Sequence, residues 1–181
     1  MMMLVLGVAL WWAAHLFKRV APTARARMGD GGKGLVTLAL LVSVVLMYFG
    51  YDPGAGPFWW GRSAALVGIN NLLMVAALFL FVADGMRAPV VARMRHPQLT
   101  GFKLWAAAHL LVNGDLPSVI LFGGLLAWAV VEVIVINRSQ RDWTPKPARP
   151  GGNPKAIAGT IFAVVAIMMV HNWLGVQPWG A

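Results

Sequence analysis

The chain has 181 residues, of which 59% are hydrophobic and only 12% charged. A soluble domain carries about a quarter charged residues, so a water-soluble domain is excluded and an all-α integral membrane protein is expected. There is no cysteine, which excludes disulfides, thiolate metal sites and a cysteine nucleophile.

Six apolar segments follow one another, roughly at residues 2–17, 35–51, 63–82, 101–112, 116–136 and 156–174. A helix needs about 20 residues to cross the hydrocarbon. The first and fourth segments are short, so their ends must be tilted, extended or buried in protein. The first has no charged stretch before it, and its basic residues follow the apolar run. It therefore reads as a retained helix rather than a cleavable signal. The connection YDPGAGPFWWG at 51–61 mixes turn residues with Phe58, Trp59 and Trp60. Those rings suit the headgroup level, as do Trp173 and Trp179. Asn113-Gly114-Asp115 reads as a tight outer turn in which Asp115 caps the next helix, with Pro117 tolerated in its first turn. The stretch NRSQRDWTPKPARPGGNPK at 137–155 has four prolines and two glycines and reads as a loop without a core. No internal repeat stands out. The expectation is one transmembrane domain over residues 1–181, a bundle of about six helices whose backbone groups are satisfied within the protein.

A formal net charge of +9 raises the question of nucleic acid, and the placement of the charges answers it. The first connection holds Lys18, Arg19, Arg25, Arg27 and Lys33; the second only Arg62; the third Arg87, Arg93, Arg95 and Lys103. The fourth holds none, the fifth Arg138, Arg141, Lys146, Arg149 and Lys155, and the C-terminal tail none. Such alternation is the positive-inside pattern. It makes connections one, three and five cytoplasmic, places both termini on the periplasmic side, and leaves membrane lipid, not nucleic acid, as the partner of the basic loops.

Ionisable groups within spans are functional candidates by default. Here they are His15, His109, Glu132 and His171, with the uncharged pair Asn70-Asn71. Trp11 precedes His15 by four residues and Trp105 precedes His109 by four, with small residues mostly between. Each tryptophan thus shares a helix face with its histidine. Alanines beside a histidine leave room for a flat macrocycle, and imidazole is a usual axial ligand of haem. His15 lies three residues before Lys18 and His109 six after Lys103, about 5 Å and 9 Å from the basic boundary at about 1.5 Å per residue. One iron between His15 and His109 is therefore allowed, with Lys18, Arg19, Arg95 or Lys103 placed to meet the propionates. His96 and His109 are about 20 Å apart along a helix, with Pro97 between them, and cannot share an iron. His171, near the outer end of the last helix, binds something else or faces water. Histidines in membrane helices also simply hydrogen-bond their neighbours. Glu132 sits about one turn from the inner boundary, where snorkelling or pairing with an arginine is favoured over proton chemistry. The asparagine pair is favoured as a bridge between helices.

Arg95-His96-Pro97, Gly101, Trp105, Ala108-His109-Leu110, Asn113-Gly114-Asp115 and Phe122-Gly123-Gly124 together resemble the signature of the NnrU family. The resemblance covers nearly the whole chain and is densest over residues 90–137. It implies a bacterial inner-membrane protein linked to nitrite and nitric oxide metabolism in denitrification. That family is similar to zeta-carotene isomerase, a membrane enzyme that uses haem b to isomerise a cis double bond, and the similarity implies His15 and His109 as haem ligands. The isomerase motif has a cysteine three residues before the second ligand; Ala106 stands there in this chain, so ligation by a thiolate is impossible.

Three readings follow. The first is a b-type haem protein that takes part in nitrogen-oxide metabolism by binding nitric oxide, passing electrons or assisting maturation of a reductase. The second is a haem-dependent cis–trans isomerase acting on an apolar polyene. The third is a haem-free assembly or transport protein centred on Glu132 and Asn70-Asn71. Substrate and protein partner are not specified by the residues. The charge alternation has a direct test, because the chain has no cysteine of its own. A membrane-impermeant maleimide should label a Gly54→Cys variant in intact spheroplasts and an Ala148→Cys variant only after lysis. The reverse pattern would invert the topology.

Overall fold

The computed structural model describes residues 1–178; Trp179, expected at the headgroup level, lies outside the described residues. Among the described residues seven helices follow in chain order: α1 (Met2–Val20), α2 (Pro22–Arg27), α3 (Gly31–Gly50), α4 (Ala64–Gly85), α5 (Pro97–Val112), α6 (Leu116–Ser139) and α7 (Gly152–Trp173). α6 carries one π-helical turn at Val119–Gly123. Five of them, α1, α3, α4, α6 and α7, are long and apolar enough to cross a membrane. α5, with 16 residues, falls short of that length, as the short fourth apolar segment foreshadows. Leu72 and Phe162 are 71% and 75% exposed. Apolar side chains turned outward along whole helices mark surfaces made for lipid rather than water.

The helices overrun the apolar segments at their polar ends. α1 continues through Lys18 and Arg19 to Val20, and α5 starts at Pro97 rather than Gly101. Proline suits the first helical position because its missing N–H has no helical partner there anyway. The His96 carbonyl then accepts the first helical bond, from the Thr100 N–H at 2.9 Å. Lys103 therefore lies inside α5 and does not mark its beginning. His109 is about 18 Å along the helix from Pro97 and three residues from its C-terminal end, so the 9 Å depth counted from Lys103 is superseded.

Contacts gather the chain into two compact units, Met1–Trp60 with Asn113–Arg141 and Gly61–Val112 with Asp142–Ala181. In the first, α1 packs against α3 and α6. Leu4, Val8 and Ala14 of α1, Met47 of α3, and Leu125, Trp128 and Ala129 of α6 are buried. The Trp12 indole N–H donates to the Gly124 carbonyl at 2.9 Å, which ties α1 to α6 just after the π turn. The turn expected at Asn113-Gly114-Asp115 takes a different form. Gly114–Asp115 pairs antiparallel with Phe58–Trp60, Asp115 opposite Phe58 and Gly114 opposite Trp60. Pairing the two connections satisfies backbone groups that neither could satisfy alone. Gly114 is required there, since a Cβ would strike the ring and carbonyl of Trp60. Asp115 does cap α6: its Oδ1 accepts from the Ser118 N–H at 2.8 Å, with Pro117 in the first turn.

In the second unit, α5 and α7 both pack on α4. Most of the buried positions are small, among them Ala77 and Ala83 on α4, Ala106 and Ala108 on α5, and Ala156 on α7. Small residues let membrane helices approach closely, where packing replaces the hydrophobic effect as the driving force. Gly101 is the tightest such position, because a Cβ would come within 2.7 Å of the Ala77 carbonyl. The loop after α6, expected to have no core, is nevertheless fastened at this unit. The Lys146 ammonium contacts the Asp84 carboxylate at 2.8 Å, and the Arg149 N–H donates to the Arg87 carbonyl at 2.9 Å.

Candidate functional site

The three span histidines share one local device. His15 Nδ1 lies 3.0 Å from the Trp11 carbonyl, His109 Nδ1 2.9 Å from the Trp105 carbonyl, and His171 Nδ1 2.8 Å from the Ile167 carbonyl. A carbonyl oxygen only accepts, so Nδ1 carries the proton in each ring and donates it to the residue four before. In the neutral ring the lone pair is then on Nε2. A metal-bound histidine is commonly fixed in this way, its second nitrogen donating to a backbone carbonyl.

His15 belongs to the first unit. Its ring lies 4.3 Å from that of Trp11 and 4.4 Å from that of Trp128 on α6, and the two indoles meet edge to face at 5.4 Å. One turn beyond Trp128 is Glu132, 8% exposed, whose Oε1 is 4.0 Å from Arg19 Nε. Glu132 thus pairs with an arginine and does not snorkel. Arg19 also donates to the Ser139 hydroxyl at 3.4 Å. The residue named as a propionate partner is therefore occupied with α6. Trp128 drew no notice in the sequence, although its spacing of four from Glu132 repeats the spacing of Trp11 from His15.

His109 belongs to the second unit, where Trp105 lies 5.1 Å away along α5 and Phe102 lies 5.0 Å from Trp105 with the two rings tilted. Along the helix axis Lys103 is about 9 Å from His109 and Arg95 beyond about 18 Å, so Lys103 is the nearer cation. The asparagine pair bridges, as expected. The Asn70 amide sits 2.8 Å from the Ala108 carbonyl, its nitrogen placed to donate, and Asn71 Nδ2 donates to the Pro178 carbonyl at 3.3 Å.

A second polar cluster lies in the first unit, beside the paired connections. Ser118 is fully buried, and its hydroxyl donates to Asp115 Oδ2 at 2.8 Å. The Tyr51 hydroxyl is 2.7 Å from Ser118 Oγ and donates to it, since the serine proton is already committed to the carboxylate. Burial first, and then the Asp115 charge, hold the Tyr51 phenol above its ordinary range. Neither Tyr51 nor Ser118 was marked by any motif. Among the described residues no group of three or more His, Cys, Asp or Glu side chains comes together. A bare metal ion would therefore be short of ligands, whereas an iron already held by four porphyrin nitrogens needs only one or two imidazoles. The donor chemistry of the histidines fits that group.

Among the described residues, five helices long and apolar enough to cross a membrane, with polar side chains tied to backbone carbonyls inside them, define a helical multi-pass membrane protein. Over residues 3–178 the chain matches the family described as NnrU protein, and it belongs to that family. No curated protein and no solved structure matches it.

The ion pair at α1 and α6 yields a stability test. Arg19→Ala leaves a buried carboxylate without its counter-charge and should cost up to about 3 kcal/mol. Adding Glu132→Gln should restore most of that loss, read as the unfolding midpoint in detergent. A double variant no more stable than the single one would show that the pair carries no such energy.

Proposed function

We propose that the protein is a b-type haem protein of the bacterial inner membrane, serving nitrite and nitric oxide metabolism. His109 is its axial ligand. The observation that carries this reading is the His109 Nδ1–Trp105 carbonyl bond of 2.9 Å, which sets the tautomer that an iron ligand requires and holds the ring. Bound haem would supply a redox-active iron able to take nitric oxide. The chain's own part is to present imidazole nitrogen from a helix, exclude water with apolar neighbours, and offer Lys103 on the same helix to a propionate. Arg95 is the more distant candidate for that contact. Family membership supports the metabolic link.

The test is direct. The purified protein should show a b-type reduced-minus-oxidised spectrum with near-stoichiometric pyridine haemochrome. His109→Ala should lose that haem while eluting as the same folded species. Full haem content in His109→Ala would sink the assignment.

A second reading is favoured by one observation. An apolar groove of about 710 Å³ runs along α1, lined by Val5, Ala9, Trp12, Ala13, Leu16 and Phe17 among others. That is within the range of small-molecule sites, about 300–1,000 Å³, and a lipid or polyene chain suits its lining. In this reading the protein is a haem-dependent cis–trans isomerase of a polyene. Co-expression with a pathway that accumulates poly-cis carotenoids should then shift the isomer profile toward trans, and an unchanged profile would rule the reading out.

A further inference from the structure

Among the described residues Arg87 alone, apart from glycines, takes a positive φ, at 51°. That conformation is uncommon for a residue with a Cβ and is the ordinary place of glycine. An arginine in glycine's place points to a use for its side chain. The surroundings fix the turn within the second unit. The Ala88 N–H donates to the Ala83 carbonyl at 2.8 Å, which closes the end of α4. The Arg149 N–H donates to the Arg87 carbonyl at 2.9 Å, and Asn153 Oδ1 accepts from the Val90 N–H at 3.2 Å. Gly152, the first residue of α7, lies so close that a Cβ there would come within 2.8 Å of Ala88 Cα. Two arginines distant in sequence are thereby neighbours in space where α4 ends and α7 begins.

The charge gathered there is not balanced. Asp84 is the acid lining the adjacent crevice, with Arg87, Val91, Met94 and Lys146 among others. The Lys146 ammonium takes its carboxylate at 2.8 and 3.0 Å. The guanidinium groups of Arg87 and Arg149 make no hydrogen bond and no ion pair among the described residues. Both α4 and α7 are long and apolar enough to cross a membrane, so the ends that meet here lie at the level of the lipid headgroups. Apolar side chains stand open beside the arginines: Val90 is 58% exposed and Ile157, one turn past Asn153, is 55% exposed. Cations without a carboxylate, set at headgroup level next to apolar surface, match the two halves of a phospholipid. A planar guanidinium also meets a phosphate with two parallel N–H bonds.

We infer that Arg87 and Arg149 form a binding site for the phosphodiester of an acidic phospholipid, whose acyl chains lie along the apolar surface beside Val90 and Ile157. A zwitterionic lipid brings its own ammonium, which two guanidiniums repel, so the site selects an anionic headgroup. It is independent of the histidines and of the haem reading.

The experiment titrates the full-length protein in detergent with dioleoylphosphatidylglycerol or dioleoylphosphatidylethanolamine and reads the lipid retained by native mass spectrometry. The wild type should hold a first phosphatidylglycerol much more tightly than phosphatidylethanolamine. Arg87→Gly should weaken that binding by about tenfold or more, the worth of a hydrogen bond to a charged group. The same variant should unfold at about the wild-type temperature, because glycine suits the positive φ, so a folding defect cannot mimic the loss. Arg149→Gln should weaken binding likewise. Arg27→Gln, in the first unit, removes an equal charge and should leave it unchanged. An equal loss in Arg27→Gln, or equal retention of the two lipids, would reveal only the diffuse attraction of basic loops to anionic lipid and overturns the inference. Displacement of the lipid by excess inorganic phosphate would assign the arginines to a soluble anion and overturns it as well.

Discussion

Hydrocarbon offers a polar atom no water, so each polar atom inside this protein needs a partner built into the chain. That constraint explains more of the structure than any single contact. It makes the histidines of three helices turn Nδ1 back to the carbonyl four residues before. The same need sends the Trp12 indole to Gly124, the Thr160 hydroxyl to the Ala156 carbonyl at 2.7 Å and the Ser43 hydroxyl to the Leu40 carbonyl at 2.7 Å. Outside the helices it zips two connections of the first unit together as a short ladder. For the histidines, satisfying one nitrogen has a chemical by-product, because it fixes the tautomer of the neutral ring.

Most of the architecture was legible from composition alone, because a span is a length of apolar residues and little else decides where it lies. The errors cluster at the ends. Apolar runs stop where charge begins, whereas helices stop where their backbone bonds run out. α1 therefore keeps Lys18 and Arg19, and α5 reaches back to Pro97. Long side chains of this kind can lie along the helix and still place their charge at the boundary. The ladder between Phe58–Trp60 and Gly114–Asp115 was invisible, since it joins segments more than fifty residues apart and neither has the alternation of a free-standing strand. The Asp115 cap was legible because its signal is local.

The candidate site divides along the same line. Trp11 beside His15 and Trp105 beside His109 were readable, being intrahelical spacings that any helix converts into contacts. Trp128 against His15, and the tie from Asn71 to the segment after α7, depend on which helices pack together. The arginine for Glu132 was foreseeable as a residue type; that it would be Arg19, itself set aside for a propionate, was not.

The first unit is discontinuous in the chain: residues 1–60 are completed by residues 113–141. During synthesis, α1 and α3 enter the membrane long before α6 exists. At about 5–20 residues per second, Arg19 waits roughly 5–20 s for the ribosome to reach Glu132. Throughout that interval the α1 face that will receive Trp128, the Gly124 carbonyl and the Glu132 carboxylate is uncovered. A nascent chain in this state must be sheltered by the insertion machinery or by lipid until its sixth helix arrives, so the order of translation becomes one of the constraints that α1 has to satisfy.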